Sequence, residues 1–300
     1  MNRFIILFVS LVYLSIGCGQ GETPNQLIIK TGHKTGQAKV AGEKTPDRIN
    51  PAGKTIATRF ILPGGFERIT VPAGSFAEYL RKLPLKPHGA KVKFYNGRIK
   101  PNPGIYDAVV DMDIDPLDLQ QCADAIIRLR AEYLWGQKRY DDIHFNFTNG
   151  FRVDYSKWMQ GYRIVVNGNK TSWAKSVSPS NSYKDFREYL KIIFLYAGTY
   201  SLTKELLTVN YQDLKIGDIL TQPGFPGHAV IVVDLAVNNK SGEKIYLLAQ
   251  SYMPAQETQV LQNPMNPNLS PWYALDLKAA SIVTPERTFK KTDLRRFAGE

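Results

Sequence analysis

From residue 59 onward the spacing of apolar and polar positions changes from segment to segment, which predicts helices and strands mixed in one body. The most regular stretch is 119–136. There Cys122, Ala125, Ile126, Leu129 and Tyr133 recur at helical intervals along one face. Residues 183–196 predict a second helix, with Phe186, Tyr189, Leu190, Ile193 and Phe194 turned inward. Shorter helices are expected over 76–83, after Ser75, and over 202–209. Strands are expected at 91–95 and 108–112, and the chain reads as β-rich from Ile219. Two runs there, 229–236 and 245–249, are apolar on both faces, with turn chemistry between them from Asn238 to Gly242. Such runs predict a hairpin inside a covered sheet.

Register turns this hairpin into a chemical expectation. Folded about Asn239, it sets His228 opposite Gln250 at its open end, with Cβ atoms about 5 Å apart. Gln250 then fixes the imidazole tautomer. Cys122 supplies a thiol near the start of the best helix. With Asp118 as N-cap and Gln121 three residues on, a capping box places Cys122 in the second turn. There the helix dipole lowers a thiol pKa. A start at Asp115-Pro116 would move Cys122 deeper into the helix and remove most of that effect. Gln120 or Gln121 offers an amide donor to a developing oxyanion. His144, alternating as if on a strand, is the second candidate base. Asp111, Asp113 and Asp115 alternate like the start of a calcium loop, but the Gly and closing Glu such a loop needs do not follow.

The N-terminus reads as a targeting signal followed by a spacer. A basic start, Met1-Asn2-Arg3, precedes an apolar run over 4–16, shorter than the ~20 residues of a spanning helix. Leu14-Ser15-Ile16-Gly17-Cys18 resembles a bacterial lipobox, which implies a signal peptide over 1–17 and lipidation of Cys18. Residues 18–58 are polar and rich in Gly, Thr, Lys and Pro, as expected of a flexible tether, and 59–300 form a single domain. The 300 residues include 38 Lys and Arg against 27 Asp and Glu, a net charge of +11. About four of those surplus charges fall in the tether, so the body offers no stripe for nucleic acid. With two cysteines in all, a multi-cysteine zinc module is excluded.

The order of motifs carries a resemblance. A cysteine at a helix start, a Gly-Asp turn, Gly227-His228 opening a strand and a polar residue ending the next resembles the papain-like CHAP and NlpC-type amidases. That resemblance implies an α+β fold, an antiparallel sheet packed on a cysteine-bearing helix, here with a large helical and aromatic insertion. It implies Cys122 as nucleophile, His228 as base and Gln250 as orienting residue, with Gln256 or Glu257 as alternatives for the last. The chain departs from the pattern in the long separation of Cys122 from His228 and in having Gln as the third residue. The strings around Cys122, His228 and Gln250 also look like a family of Bacteroidetes-type lipoproteins of unassigned activity. Phe145, Phe147, Phe151, Tyr155, Trp158, Tyr162 and Trp173, set among Arg152, Lys157 and Arg163, suit stacking on sugars and holding carboxylates, although most are expected to pack the core. Trp158, Tyr252 and Gln256 are the candidate substrate contacts. The expected function is a lipid-anchored envelope cysteine amidohydrolase or peptidase acting on cell-wall peptide or amide bonds. It needs no cofactor or metal, and its partners are the membrane, through Cys18, and wall glycopeptide. The alternative is a non-catalytic envelope lipoprotein that binds wall glycan or a protein through the same cleft.

Overall fold

The computed structural model describes residues 48–101 and 103–300. The predicted signal segment, Cys18 and most of the tether lie outside the described residues. The end of the expected tether belongs to the folded body instead. Asn50 donates its N–H to the Arg59 carbonyl at 2.7 Å, and Ile56 is fully buried in the short helix Ile56–Arg59. Two apolar anchors four residues apart, Ile56 and Phe60, are too short a pattern to read as an element, yet they fix the boundary earlier than residue 59. Among the described residues no helix is long and apolar enough to cross a membrane.

The described residues form a mixed α+β structure with six α-helices and one large antiparallel sheet. The sheet runs Tyr106–Val109, Gln259–Leu261, Lys244–Gln250, His228–Asn238, Ile219–Gln222, Leu294–Arg296, Leu207–Thr208. Phe66–Arg68 adds to the far end of His228–Asn238, and Tyr273–Ala274 adds to Lys244–Gln250. The helix Cys122–Gly136 packs on the central strands, and twelve of its fifteen residues are buried. The expected helix Tyr183–Tyr196 has its predicted bounds, with Ser182 accepting from the Asp185 N–H and all five inward residues buried. The helix expected at 202–209 is Thr199–Glu205, and Leu207–Thr208 is an edge strand. No strand forms at 91–95, where Lys93 and Phe94 make isolated bridges only.

The segment between the long helices lies outside the large sheet and forms small elements of its own. Two hairpins, His144–Asn146 with Arg152–Asp154 and Tyr162–Asn167 with Lys170–Lys175, flank the short helix Tyr155–Met159. The aromatic series is mostly core here. Phe145, Phe147, Tyr155 and Trp158 are buried, and the Tyr155 ring sits 5.3 Å from Phe186 and 5.2 Å from Tyr189. The Asp series is equally structural: Asp113 and Asp115 are held by Arg128 and Arg187.

The central hairpin forms, with a different register and one unexpected charge. Its turn centres past Asn239, because the Asn238 side chain accepts from Lys240 and Ser241 and its carbonyl from Gly242. Lys244 therefore pairs with Val237. Further along, Leu247 pairs with Asp234 but Leu248 with Val232, so Val233 is an extra, bulged residue. Asp234 interrupts the run that reads as wholly apolar. It is fully buried and accepts from Arg68 at 2.6 Å and Arg81 at 2.7 Å, which ties strand Phe66–Arg68 and helix Phe76–Arg81 to the hairpin. Replacing Asp234 by Ala leaves two largely buried guanidiniums unpaired, a loss of about 3–5 kcal/mol. Urea unfolding at pH 7 measures it, and a loss below 1 kcal/mol would contradict the clasp.

Candidate functional site

Cys122 is the first residue of its helix, earlier than the capping box at Asp118 predicts. Gln121 is the N-cap, and its N–H is taken by the Asp124 carboxylate at 3.0 Å. The first helical bond runs from the Ala125 N–H to Gln121 O, so the N–H groups of Cys122 and Ala123 are free of intrahelical partners. Both amides, and the N–H of Ala229 from the sheet, are near enough to the Cys122 sulfur to favour its thiolate. This last contact brings the thiol beside the residue that follows His228.

The strand geometry brings His228 and Gln250 together by a different route from direct opposition. With the bulge, Gln250 stands level with Val230, two positions from His228 on the same face. A diagonal neighbour is within reach of a long side chain, and Gln250 Oε1 meets His228 Nε2 at 2.8 Å. Beyond it lie two residues that sequence reasoning missed. Gln250 Nε2 donates to Glu286 Oε2 at 2.5 Å, and Lys100 Nζ donates to the same oxygen at 2.7 Å. Both come from irregular segments flanked by proline, without periodicity to mark them. Tyr252 lies with its ring 4.8 Å from His228, and Phe289 flanks the imidazole at 5.9 Å. Lys100 sits 5.6 Å over the Tyr252 ring and completes the enclosure.

These contacts have only one direction of donation. An ammonium only donates and a carboxylate only accepts, so Gln250 presents its NH2 to Glu286 and its oxygen to the ring. His228 must then carry its proton on Nε2, which leaves Nδ1 with a lone pair.

The thiol does not have the lowered pKa expected at a helix start. Burial, followed by the Asp124 carboxyl, pushes it up to about 11 against the opposing pull of the three amides. Burial also pulls His228 down to about 4, against the raising effect of the Gln250 bond, with Arg287 and Lys100 adding to the decrease. At neutral pH the resting site thus holds a thiol and a neutral imidazole.

A cleft of about 190 Å³ opens beside Cys122, between Thr199, the 224–227 loop and Met253. His228 is 1% exposed and is not among the residues that line it. Gly227 has to be glycine, because a Cβ there would fall 2.0 Å from Thr199 Oγ1. Gln121 lines this cleft and donates to Asp118 Oδ1 at 3.2 Å, whereas the Gln120 oxygen accepts from Arg128 at 2.8 Å. Of the two amides, only that of Gln121 is on the cleft side. Gln256 is buried against Pro254 and Gln259, and Glu257 pairs with Lys86, so of the three it is Gln250 that meets the His228 ring. Trp158 is buried with its N–H on the Asp185 carbonyl and Arg163 stacked 3.9 Å above it, a core position rather than a substrate contact. His144 stands apart, 3.6 Å from Glu205.

Residues 56–296 match the model of a family described as a domain of unknown function (4846). The chain belongs to that family. No curated protein and no solved structure matches it. The match spans the expected body almost from end to end and includes Cys122, His228, Gln250 and Glu286.

Two measurements check this geometry. In a 15N NMR titration His228 should titrate near pH 4 with Nε2 protonated at neutral pH; a midpoint near 6.5 or an Nδ1–H tautomer would contradict it. Because the folded pKa lies below the unfolded one, the unfolded chain binds the extra proton between pH 4 and 6.5. The contribution of His228 is therefore complete above about pH 6.5 and declines on acidification, by up to about 3 kcal/mol. His228→Asn should flatten that part of the pH–stability curve.

Proposed function

We propose that this protein is a thiol amidohydrolase with a papain-like site, acting on peptide or amide bonds of the cell envelope. The observation that carries the reading is the one-way hydrogen-bond chain from Lys100 through Glu286 and Gln250 to His228, whose neighbour Ala229 turns its amide toward the thiol at the start of helix Cys122–Gly136. A structural histidine needs no device that fixes its tautomer. A general base does, because only the bare nitrogen can take a proton.

The neutral resting pair sets the order of events. As a substrate carbonyl enters the cleft, the Cys122 sulfur attacks its carbon while the thiol proton passes to His228 Nδ1. The imidazolium that forms keeps its Nε2–H on Gln250 Oε1, with the Glu286 carboxylate behind. The carbonyl oxygen gains charge near the N-terminal amides of the helix, with the Gln121 amide as a further donor on that side. Collapse expels the amine, which receives the proton from Nδ1, and water then hydrolyses the thioester by the same route in reverse. The lipobox-like Cys18 and the signal segment support attachment to a membrane in the envelope, with wall glycopeptide as the substrate.

The seclusion of His228 favours a second reading, a cleft that binds envelope peptide or glycan without turnover. The two readings separate in one experiment. The full chain is incubated with a muropeptide digest, and amide cleavage is followed by mass spectrometry. Hydrolysis should fall by at least about 10³-fold in Cys122→Ala and His228→Ala, with retained binding. Glu286→Gln, which frees the Gln250 amide to turn over, should cost about 10–100-fold in kcat with little change in KM. Cleavage that survives Cys122→Ala would sink the enzyme reading, and binding without cleavage by the unaltered protein would establish the second.

A further inference from the structure

Two side chains that follow one another in the chain reach two different parts of the site. Ile282–Val283 and Thr288–Phe289 pair as a small hairpin, and 284–287 is its turn. Thr284, 3% exposed, closes that turn. Its N–H and its hydroxyl both donate to the Arg287 carbonyl, at 2.8 and 2.7 Å, and the hydroxyl accepts from the Arg287 N–H at 3.1 Å. From this fixed backbone Glu286 turns to Gln250, while Arg287 turns to Gln222 at the end of strand Ile219–Gln222.

Gln222 pairs with His228 in the sheet, and the loop that joins them carries the 224–227 wall of the cleft. Gln222 Nε2 donates to Asp293 Oδ2 and to the Thr288 carbonyl, both at 2.9 Å. A carboxylate and a carbonyl only accept, so the Gln222 oxygen is left to face Arg287. Arg287 Nε donates to that oxygen at 2.9 Å, and Nη2 donates to the Pro226 carbonyl at 3.3 Å. The planar fork thus spans the loop from one end to the other. Both acceptors are neutral oxygens, so neither contact cancels the charge of the guanidinium. That charge bears on His228: burial lowers the imidazole pKa most, and Arg287 adds to the decrease ahead of Lys100. Lys100 and Glu286, the other charged groups around the ring, are paired with each other, and Tyr252 against it is a phenol.

We propose that Arg287 is a positioning residue for the thiol site, a staple across the 223–227 loop that sets the cleft wall beside Cys122. The inference rests on the thiol hydrolase reading for its bearing on turnover. Lysine keeps the charge without the fork, whereas glutamine has neither the charge nor the reach, so the two effects of the guanidinium separate.

Three variants of the full chain test this: Arg287→Lys, Arg287→Gln and Asp293→Asn. The last keeps Arg287 but lets the Gln222 amide turn over. Alkylation of Cys122 by iodoacetamide, normalised to free cysteine, reports opening of the wall. Its rate should rise about tenfold in each variant, as expected for one lost hydrogen bond to a charged group. His228 is followed by 15N NMR titration. Its midpoint should stay near 4 in Arg287→Lys and Asp293→Asn and move upward in Arg287→Gln, with the proton on Nε2 in all three. With muropeptides, kcat/KM should fall about tenfold in Arg287→Lys, mainly through KM. Unchanged alkylation in Arg287→Lys and Asp293→Asn overturns the inference. So does a midpoint that rises in all three variants with loss of the Nε2–H tautomer, which is the mark of local unfolding. If the unaltered protein cleaves no muropeptide while alkylation and the midpoints respond as expected, the hydrolase reading falls and the staple stands.

Discussion

The site depends on the direction of donation along a single line of hydrogen bonds. Lys100 cannot accept, Glu286 paired with it cannot donate, and Gln250 between that carboxylate and the imidazole has one orientation left. Glutamine is a poor choice for fixing a tautomer on its own, because its two ends are nearly equal in size. The buried ion pair removes that ambiguity. Much of its cost in desolvation is offset by the further contacts of Lys100 with the Tyr252 ring and of Glu286 with Gln250.

Burial outweighs the helix dipole at the thiol. The first position of a helix is the most favourable place for a thiolate, and three amides face the sulfur, yet desolvation leaves it protonated. The same seclusion leaves His228 uncharged. Both groups are therefore uncharged at neutral pH, and little of the thiol is present as thiolate. Protection from oxidation at the single free cysteine of the described residues follows from the same arrangement.

Much of the architecture was legible in the sequence because it rests on periodicity. The helices around Cys122 and over Tyr183–Tyr196, and the paired apolar runs, are long enough for their spacing to determine them. The meeting of His228 with Gln250 was also legible, through a register that was wrong in detail. The turn shifts because the Asn238 side chain organises it, and the bulge at Val233 then moves the pairing back by one. What stayed hidden depends on residues without a local pattern. Asp234 stands inside an apolar run, and its partners lie far away in the chain. Lys100 and Glu286 sit beside prolines in irregular segments. Asp124 could have been found, since an acid three residues after Gln121 marks a helix start that places Cys122 first.

The bulge has a further consequence for how this hairpin tolerates change. On one side of Val233 the strand is pinned by two arginines, and on the other it presents the imidazole. Length variation at the exposed tip around Lys240 and Ser241 is stopped at the arginine anchor before it reaches the chemistry. A deletion between Ala229 and Val233 has no such stop, and would rotate the ring to the opposite side of the sheet. The tip is therefore the natural point for grafting a tag or a foreign loop, while the short stretch below the anchor must keep its length.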